Sequence, residues 1–412
     1  MESEKKFITA AALPENKNWD KLIKRESELY KRYDDIRNAF ERDYTRILHS
    51  LAFRRLKHKT QVYSNIDNDH VCTRVEHVIH VDSVSHTIAT KLGLNTDLTK
   101  AISNGHDLGH APFGHRGEKI LAKIATKYLK ENFWHEKNGL HFVDDVELLE
   151  DYTKTYKNLY LTYAVRDGII SHCGEVDENG LRPRDSFIDL KDFYKSGQFQ
   201  PVTWEGCIVK ISDKIAYLGR DIEDAIRLGM ISGKELKRLE DLAARTNIKN
   251  AINTTVIINS MIIDICKNSS PEKGICLSYE TNSLMNEIKL FNSKYIYKNK
   301  RLITFEKFSK LIIEELFKVL FNIYKNEKTL EEIEKKIKIY PDLMSGFLKW
   351  LVCYCTIDYN TDLINTNNYR YDNKKIYKNL ETEDLYIRAI LDYISGMTDA
   401  YAIKVFNGLL KY

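Results

Sequence analysis

A chain of 412 residues is long enough for two or three average domains and for a large buried core. Hydrophobic residues make up 43% and charged residues 30%, the balance of an ordinary globular protein. A net charge of +4, from 63 basic and 59 acidic side chains, argues against a dedicated nucleic-acid or membrane binder but leaves room for a local basic patch.

The seven cysteines, Cys72, Cys173, Cys207, Cys266, Cys276, Cys353 and Cys355, are odd in number and scattered. The close pair Cys353 and Cys355 has no histidine downstream to complete a zinc set, so reduced core thiols and a cytoplasmic home are expected. The opening MESEKKFITAA holds no apolar core of signal-peptide length, and the run from Phe347 to Ile357 is too short to span a bilayer and contains Lys349. No membrane partner is expected.

In chain order, residues 15 to 64 read as helical. Acidic and basic residues interleave at first; then Ile47, Leu48, Leu51, Phe53 and Leu56 recur near a 3.6 period. A polar loop, SNIDNDH, follows. Val75, Val78, Val81, Val84 and Ile88 then mark a helix running to Leu92, with Gly93 as its stop. The next helix should be capped by Thr96 or Asp97 and run to about Leu108. Gly109, Pro112 and Gly114 force a loop, HAPFGH, and helix resumes at Gly117. Residues 173 to 204, with Gly174, Gly180, Pro183, Gly197 and Pro201, form a long irregular excursion. The helix GCIVKISDKIAYLGRDIEDAIRLG comes next. Beyond Gly233 the chain is rich in Lys, Asn, Tyr and Ile and mostly helix-patterned. Alternating strand patterns are few, so the fold class is all-α, with no clear linker. The expected division is an N-terminal core over residues 1–232 and a helical region over 233–412 packed on it as one unit.

All twelve histidines lie between His49 and His172, so imidazole chemistry belongs to the N-terminal half. The stretch 73 to 118 concentrates His77, His106, Asp107, His110 and His115. His106 and Asp107 are adjacent near a helix C-terminus. Neighbouring helical side chains diverge by about 100°, so one ion can use both from one side only, and other helices must close its shell. His77 shares a face with Val81, Val84 and Ile88, where an imidazole without a partner is costly to bury. Asp213, on an otherwise apolar helix, supplies a second carboxylate. Two histidines and two carboxylates suit one divalent metal, with Mn, Fe, Co, Ni, Zn and Mg all compatible. Along the same helix Asp213, Tyr217 and Asp221 form an i, i+4, i+8 stripe, and Lys214 stands ready for phosphate. A ring for a sugar, a carboxylate for its hydroxyl and a lysine for phosphate give the stripe the outline of a nucleotide site. His80 and His86 are expected at the surface or flanking the site, and Arg54 and Arg55 in structural ion pairs.

Five blocks carry a resemblance: RILHSLAFRRLKHKTQVY (46–63), TRVEH (73–77), HDLGHAPFGHRGE (106–118), SDKIAYLGRDIEDA (212–225) and DYISGMTDAYA (392–402). In these the chain resembles the dGTPase-like deoxynucleoside triphosphate triphosphohydrolases of the HD-domain superfamily. The resemblance implies an HD-domain helical bundle with additional C-terminal helices. It implies that His77, His106, Asp107 and Asp213 bind the metal and that Arg74 and Lys214 lie near phosphates. It places Gln61, Tyr217 and Asp221 on the deoxyribose. His110, His115 and His135 are implied around the α-phosphate, with Glu118 orienting one of them. Val78 departs from the family's usual Ser, FWHEKNGLHF (133–142) follows its pattern loosely, and nothing from Gly233 to Leu380 carries over.

The activity so implied is hydrolysis of dGTP or several dNTPs to deoxynucleoside and inorganic triphosphate, by a homo-oligomer of four or six chains. His115, oriented by Glu118, is the candidate general acid. Two alternatives stand beside it. One is an HD phosphodiesterase or nucleotidase acting on other nucleotides. The other is a non-catalytic sensor of nucleotides or of weakly bound single-stranded nucleic acid.

Overall fold

In the computed structural model, residues 5–29, 34–64, 68–173, 179–244, 254–357, 359 and 370–411 are described; residues 65–67 of the expected polar loop and Gly174 lie outside them. Helices dominate, as expected of an all-α chain. The exception among described residues is a small sheet: Leu148–Glu150 pairs antiparallel with Thr155–Asn158, which pairs in parallel with Arg370–Tyr371. These strands are too short to show a period of two, which is why the sequence does not announce them.

Packing density divides the chain into two compact units that interleave: residues 1–48, 61–107 and 160–304 in one, and 49–60, 108–159 and 305–412 in the other. The division at residue 232 follows chain order, whereas compactness groups segments across it.

In the first unit the helix Arg74–Leu92 packs against Thr96–Gly105 and Trp204–Arg227, and Thr254–Asn268 covers the same core. Arg74–Leu92 begins where Glu76 accepts a capping bond from the Thr73 backbone N–H at 2.7 Å. It stops at Gly93, whose φ of 81° is open to glycine. Thr203 caps Trp204–Arg227 by accepting from the Gly206 N–H at 3.0 Å. Thr96–Gly105 crosses Tyr163–Ser171 at very close range. A Cβ on Gly105 would meet Ile169 at 2.8 Å, and one on Gly168 would meet Ile102 at 2.5 Å. This reciprocal Gly–Ile contact seats the residue that follows, His106, in the interior.

Four local expectations are corrected. The span 15–64 is not one helical run: it holds Trp19–Leu22, Ala39–His49, Leu51–Arg55 and a 3₁₀ turn at Leu56–His58. Between the first two, Arg25 donates to Asp43, to Tyr160 O and to Ala39 O, so tertiary partners replace helical ones. The cap of the second site helix is Asn95, whose Oδ1 accepts from Asp97 N and Leu98 N, rather than Thr96 or Asp97. That helix ends at Gly105, short of Leu108, because the His106 ring takes the Ser103 carbonyl that the Asp107 N–H would otherwise use. Finally, helix resumes at Gly114 instead of Gly117, after Phe113 turns left-handed at φ 65°.

In the second unit Gly114–Leu129 packs on Glu383–Ser395, while Pro341–Tyr354 packs on Thr329–Lys336 and Asp399–Gly408. The loop 108–113 is clamped by side chains. The buried Lys59 ammonium donates to His110 O and Ser395 O, Asn138 donates to Gly109 O at 2.7 Å, and Asp399 accepts from Phe113 N at 2.9 Å. No helix among the described residues is long and apolar enough to cross a membrane. None of the seven cysteines is in a disulfide.

Gly109 is where this loop touches a helix backbone to backbone. A Cβ there would lie 2.1 Å from both Gly139 N and His135 O. Gly109→Ala is therefore expected to destabilise the protein by about 2–3 kcal/mol, seen as a lower urea midpoint at unchanged slope. An unchanged midpoint would contradict the close approach.

Candidate metal centre and its polar stripe

Three elements bring the four expected ligands together inside the first unit. His77 projects from Arg74–Leu92, His106 and Asp107 follow Thr96–Gly105, and Asp213 comes from the middle of Trp204–Arg227. His77 Nε2 lies 2.9 Å from Asp213 Oδ1 and 3.8 Å from Asp107 Oδ2. His106 Nε2 lies 3.5 Å from Asp107 Oδ1 and 3.9 Å from Asp213 Oδ1. His77, His106 and Asp107 are buried, whereas Asp213 keeps 23% of its side chain open.

His77, His106 and Asp213 each place one donor atom within 4.8 Å of the others, a set that fits a divalent cation, with Asp107 beside them. The His106 Nδ1–H donates to Ser103 O at 2.6 Å, which fixes the tautomer and leaves the Nε2 lone pair facing the cluster. That Nε2 is buried and has no hydrogen-bond partner among the described residues, a costly state that coordination would relieve. Bonds of about 2.1 Å to one ion imply donor separations of roughly 3.0–3.5 Å for cis or tetrahedral pairs and about 4.2 Å for trans pairs. The observed separations of 2.9–3.9 Å lie close to that span.

The charges respond to one another. Burial works to raise the Asp213 carboxyl, but the hydrogen bond from His77 and the nearby His106 hold it well below the usual carboxylate range. Burial likewise opposes charge on His77, yet Asp213 and Asp107 raise its basicity overall. Both shifts favour positive charge on the His77 imidazole beside Asp213, where a cation would also bring positive charge.

Arg74, expected near phosphates, is buried. Its Nη1 donates to Asp107 Oδ2 at 2.7 Å and its Nη2 to Gln61 O at 3.2 Å. It therefore orients a candidate ligand. Lys214 is buried beside Asp213 and Tyr217 is half-buried. The side-chain Oε1 of Gln61 is buried with no hydrogen-bond partner among the described residues. Asp221 is buried, and its Oδ2 accepts from Tyr297 at 2.6 Å while Tyr63 donates to its carbonyl at 2.9 Å. Burial pushes the Asp221 carboxyl up to about 7 even though Tyr297 pulls it down.

Two residues of this neighbourhood escaped the sequence reading. Tyr297 lies 76 positions from Asp221 on a π-helical turn, Asn292–Tyr297, and no local pattern marks it. His172 is buried, donates from Nδ1 to Ile169 O at 2.7 Å and sets its ring edge-on to His106 at 4.9 Å. With His106 and Asp107 it forms a further group of potential ligands. Being the last histidine of the chain, followed by none, was its one available signal.

The remaining expected site residues form their own cluster, within the second unit. Glu118 Oε2 accepts from His115 Nδ1 at 3.2 Å and from His135 Nδ1 at 3.1 Å. His110 stacks on His135 with ring centres 4.0 Å apart. Burial favours a protonated Glu118, but the two imidazoles dominate and hold its carboxyl far below its ordinary range. Of the other residues, His86 is exposed and His80 half-buried, and Arg55 pairs with Glu147 at 2.7 Å.

Asp221 yields a test with a definite sign. Its folded-state basicity is raised above that of the unfolded chain, so the folded protein holds the extra proton between about pH 4 and 7 and loses stability as pH rises through that window. Asp221→Asn removes the loss. Its stability advantage over wild type is expected to grow by a few kcal/mol, on the order of 3, between pH 5 and pH 8 in urea unfolding. A pH-independent difference would refute the buried-carboxyl assignment.

Comparison with known proteins matches these features. A family model described as HD domain covers residues 74–218, and one described as phosphohydrolase-associated domain covers 371–408. The second span includes Asp392, Ser395 and Asp399; Asp399 accepts from Phe113 N in the 108–113 loop, and Ser395 O accepts from Lys59, which also donates to His110 O. Proteins named deoxyguanosinetriphosphate triphosphohydrolase-like are similar along most of their length. The one from Caldanaerobacter subterraneus is 34% identical over 379 residues, 92% of this chain and 85% of the relative. That from Clostridium tetani is 34% identical over 91% of this chain and 86% of the relative. That from Pelagibacter ubique is 32% identical over 94% and 98%. An HD domain bearing this donor set, on a chain so related, belongs to a metal-dependent phosphohydrolase, and the chain is a member of the deoxyguanosinetriphosphate triphosphohydrolase-like family.

Proposed function

We propose that the protein hydrolyses deoxynucleoside triphosphates at the α-phosphorus, releasing a deoxynucleoside and intact inorganic triphosphate. The observation that carries this reading is the convergence of His77, His106, Asp107 and Asp213, with the His106 Nε2 lone pair buried and unpartnered. A cation held there supplies Lewis-acid polarisation of a phosphate oxygen and a more acidic bound water.

The chain's own residues supply the rest. Lys214 offsets charge developing on phosphate oxygens, the largest contribution in phosphoryl transfer. Arg74, tied to Asp107 at 2.7 Å, holds that carboxylate in orientation and adds positive charge. Asp221, with Tyr297 on its Oδ2, presents a buried acceptor and a phenol for the 3′-hydroxyl side of a sugar, with Gln61 as a further polar partner. Tyr217, half-buried four residues before Asp221, is assigned to exclude a 2′-hydroxyl. As water's oxygen bonds to the α-phosphorus, the bond to the 5′-oxygen breaks and that oxygen needs a proton. His115, its Nδ1 held by Glu118 at 3.2 Å, is assigned to deliver it.

The reading is tested by offering the protein the four dNTPs and four NTPs with Mg, Mn or Co and identifying the products. Inorganic triphosphate from dNTPs, with NTPs turned over much more slowly, is expected. Monophosphate or single phosphate as the product would point instead to a phosphodiesterase or nucleotidase. Tyr217→Ala should narrow the gap between dNTP and NTP by at least about 10-fold, the discrimination worth 1.4 kcal/mol. His115→Ala should lower kcat by about 10²- to 10⁴-fold with KM little changed. Near wild-type turnover would remove His115 from the proton-transfer step.

A further inference from the structure

We infer that His141 is a positioning residue: its doubly protonated ring bridges Asp145 and Asp392 and so sets the place of His135, at the other end of the same short helix. The Nδ1 of His141 lies 2.9 Å from Asp145 Oδ2, and its Nε2 lies 2.9 Å from Asp392 Oδ2. A neutral imidazole has one donor nitrogen and one acceptor, so one of these contacts would set a lone pair against a carboxylate. An imidazolium donates to both.

The surroundings favour ionised carboxylates over a shared acid proton. Lys374 Nζ donates to Asp145 Oδ1 at 2.9 Å. The Tyr377 hydroxyl donates to Asp392 Oδ2 at 2.9 Å and itself accepts from Trp350 Nε1 at 3.2 Å. His141 and Lys374 together balance the charge of the two carboxylates. Arg388, the one cation on the helix Glu383–Ser395, pairs with Glu131. Burial opposes charge on His141, but Asp392 and Asp145 push its pKa up to about 10. Burial works to raise the Asp145 carboxyl, yet His141 and Lys374 hold it well below its usual range.

The helix that carries both histidines depends on such a bridge. His135–His141 is 7 residues long, too short to hold its own shape in water. Its middle meets the 108–113 loop through Asn138, which donates to Gly109 O at 2.7 Å, and through the close approach of Gly139 to Gly109. Its C-terminal end is fastened by His141 to the π-helical turn Phe142–Val146 and to the helix Glu383–Ser395. The Asp145 carbonyl is fixed in turn by Asn158 Nδ2 at 2.9 Å. At the N-terminal end, His135 Nδ1 and His115 Nδ1 share one Glu118 oxygen at 3.1 and 3.2 Å. Displacing this helix by about 1 Å breaks that sharing, and misplacement on such a scale costs about 10²-fold in rate. The charge on His141 stands without any catalytic assignment; its effect on turnover rests on the proposed role of His115.

The test uses full-length protein labelled with ¹⁵N-histidine and read by NMR. At about pH 8.5 an ordinary histidine, with a pKa of about 6.5, is neutral. One ring is expected to keep two N–H signals there, and His141→Gln should lack them. Asp145→Asn keeps the side-chain shape but removes one charge, so the same ring should lose proton affinity by about 100-fold and titrate near pH 8. This variant also identifies the ring if His141→Gln does not fold. The kcat of Asp145→Asn relative to wild type should then fall about 10-fold between pH 6 and pH 9 with KM little changed, because only the variant loses its imidazolium in that range. No doubly protonated ring assignable to His141 in the wild type overturns the bridge, and a kcat ratio constant with pH overturns the positioning role. The ring signals need no substrate, so failure of the triphosphohydrolase reading leaves them decisive.

Discussion

Everything in the first unit's site depends on keeping two imidazoles and two carboxylates close together where water is largely excluded. Carboxylates 3.5–3.9 Å from a histidine nitrogen, and imidazoles edge-on at 5.6 Å, are held by the helices behind them and not by mutual attraction alone. Two aids are visible. Arg74 neutralises part of Asp107, and the His77–Asp213 contact at 2.9 Å favours positive charge on the imidazole. A cation does this better because it satisfies the His106 Nε2 as well, which neither aid can reach.

The surrounding architecture reads as a means of holding those donors. The reciprocal contact of Gly105 with Ile169 and Gly168 with Ile102 lets two helices approach until only glycine fits. The chain leaves its helix at that point, and His106 anchors its own ring on the Ser103 carbonyl. Asp213 sits in the middle of a 24-residue helix, so its position is inherited from a rigid rod whose apolar faces are buried. Shifting such a ligand means moving a helix, and the close packing of the core resists that.

The second unit treats its histidines differently. There Glu118 serves two imidazoles with a single oxygen, and the loop that carries His110 is fixed by Lys59, Asn138 and Asp399. Asp399 and Ser395 come from the very end of the chain, inside the DYISGMTDAYA block. That block holds no ligand of its own. It reaches the loop directly through Asp399 on Phe113 N and indirectly through Ser395 O on Lys59.

What sequence alone determined here is local and periodic. The helical class, the Gly93 stop, the HAPFGH loop and the apolar face bearing His77 follow from spacing and from residue chemistry that act within a few positions. The four candidate ligands stand out in the sequence because each breaks an otherwise apolar or glycine-rich pattern. Tertiary structure decided the rest. Tyr297 reaches Asp221 across 76 residues, Arg74 binds Asp107 across 33, and Asn95 displaces Thr96 as cap while its amide also donates to Ala12 O. Such partners are chosen by how helices pack, and a linear pattern carries no record of that choice.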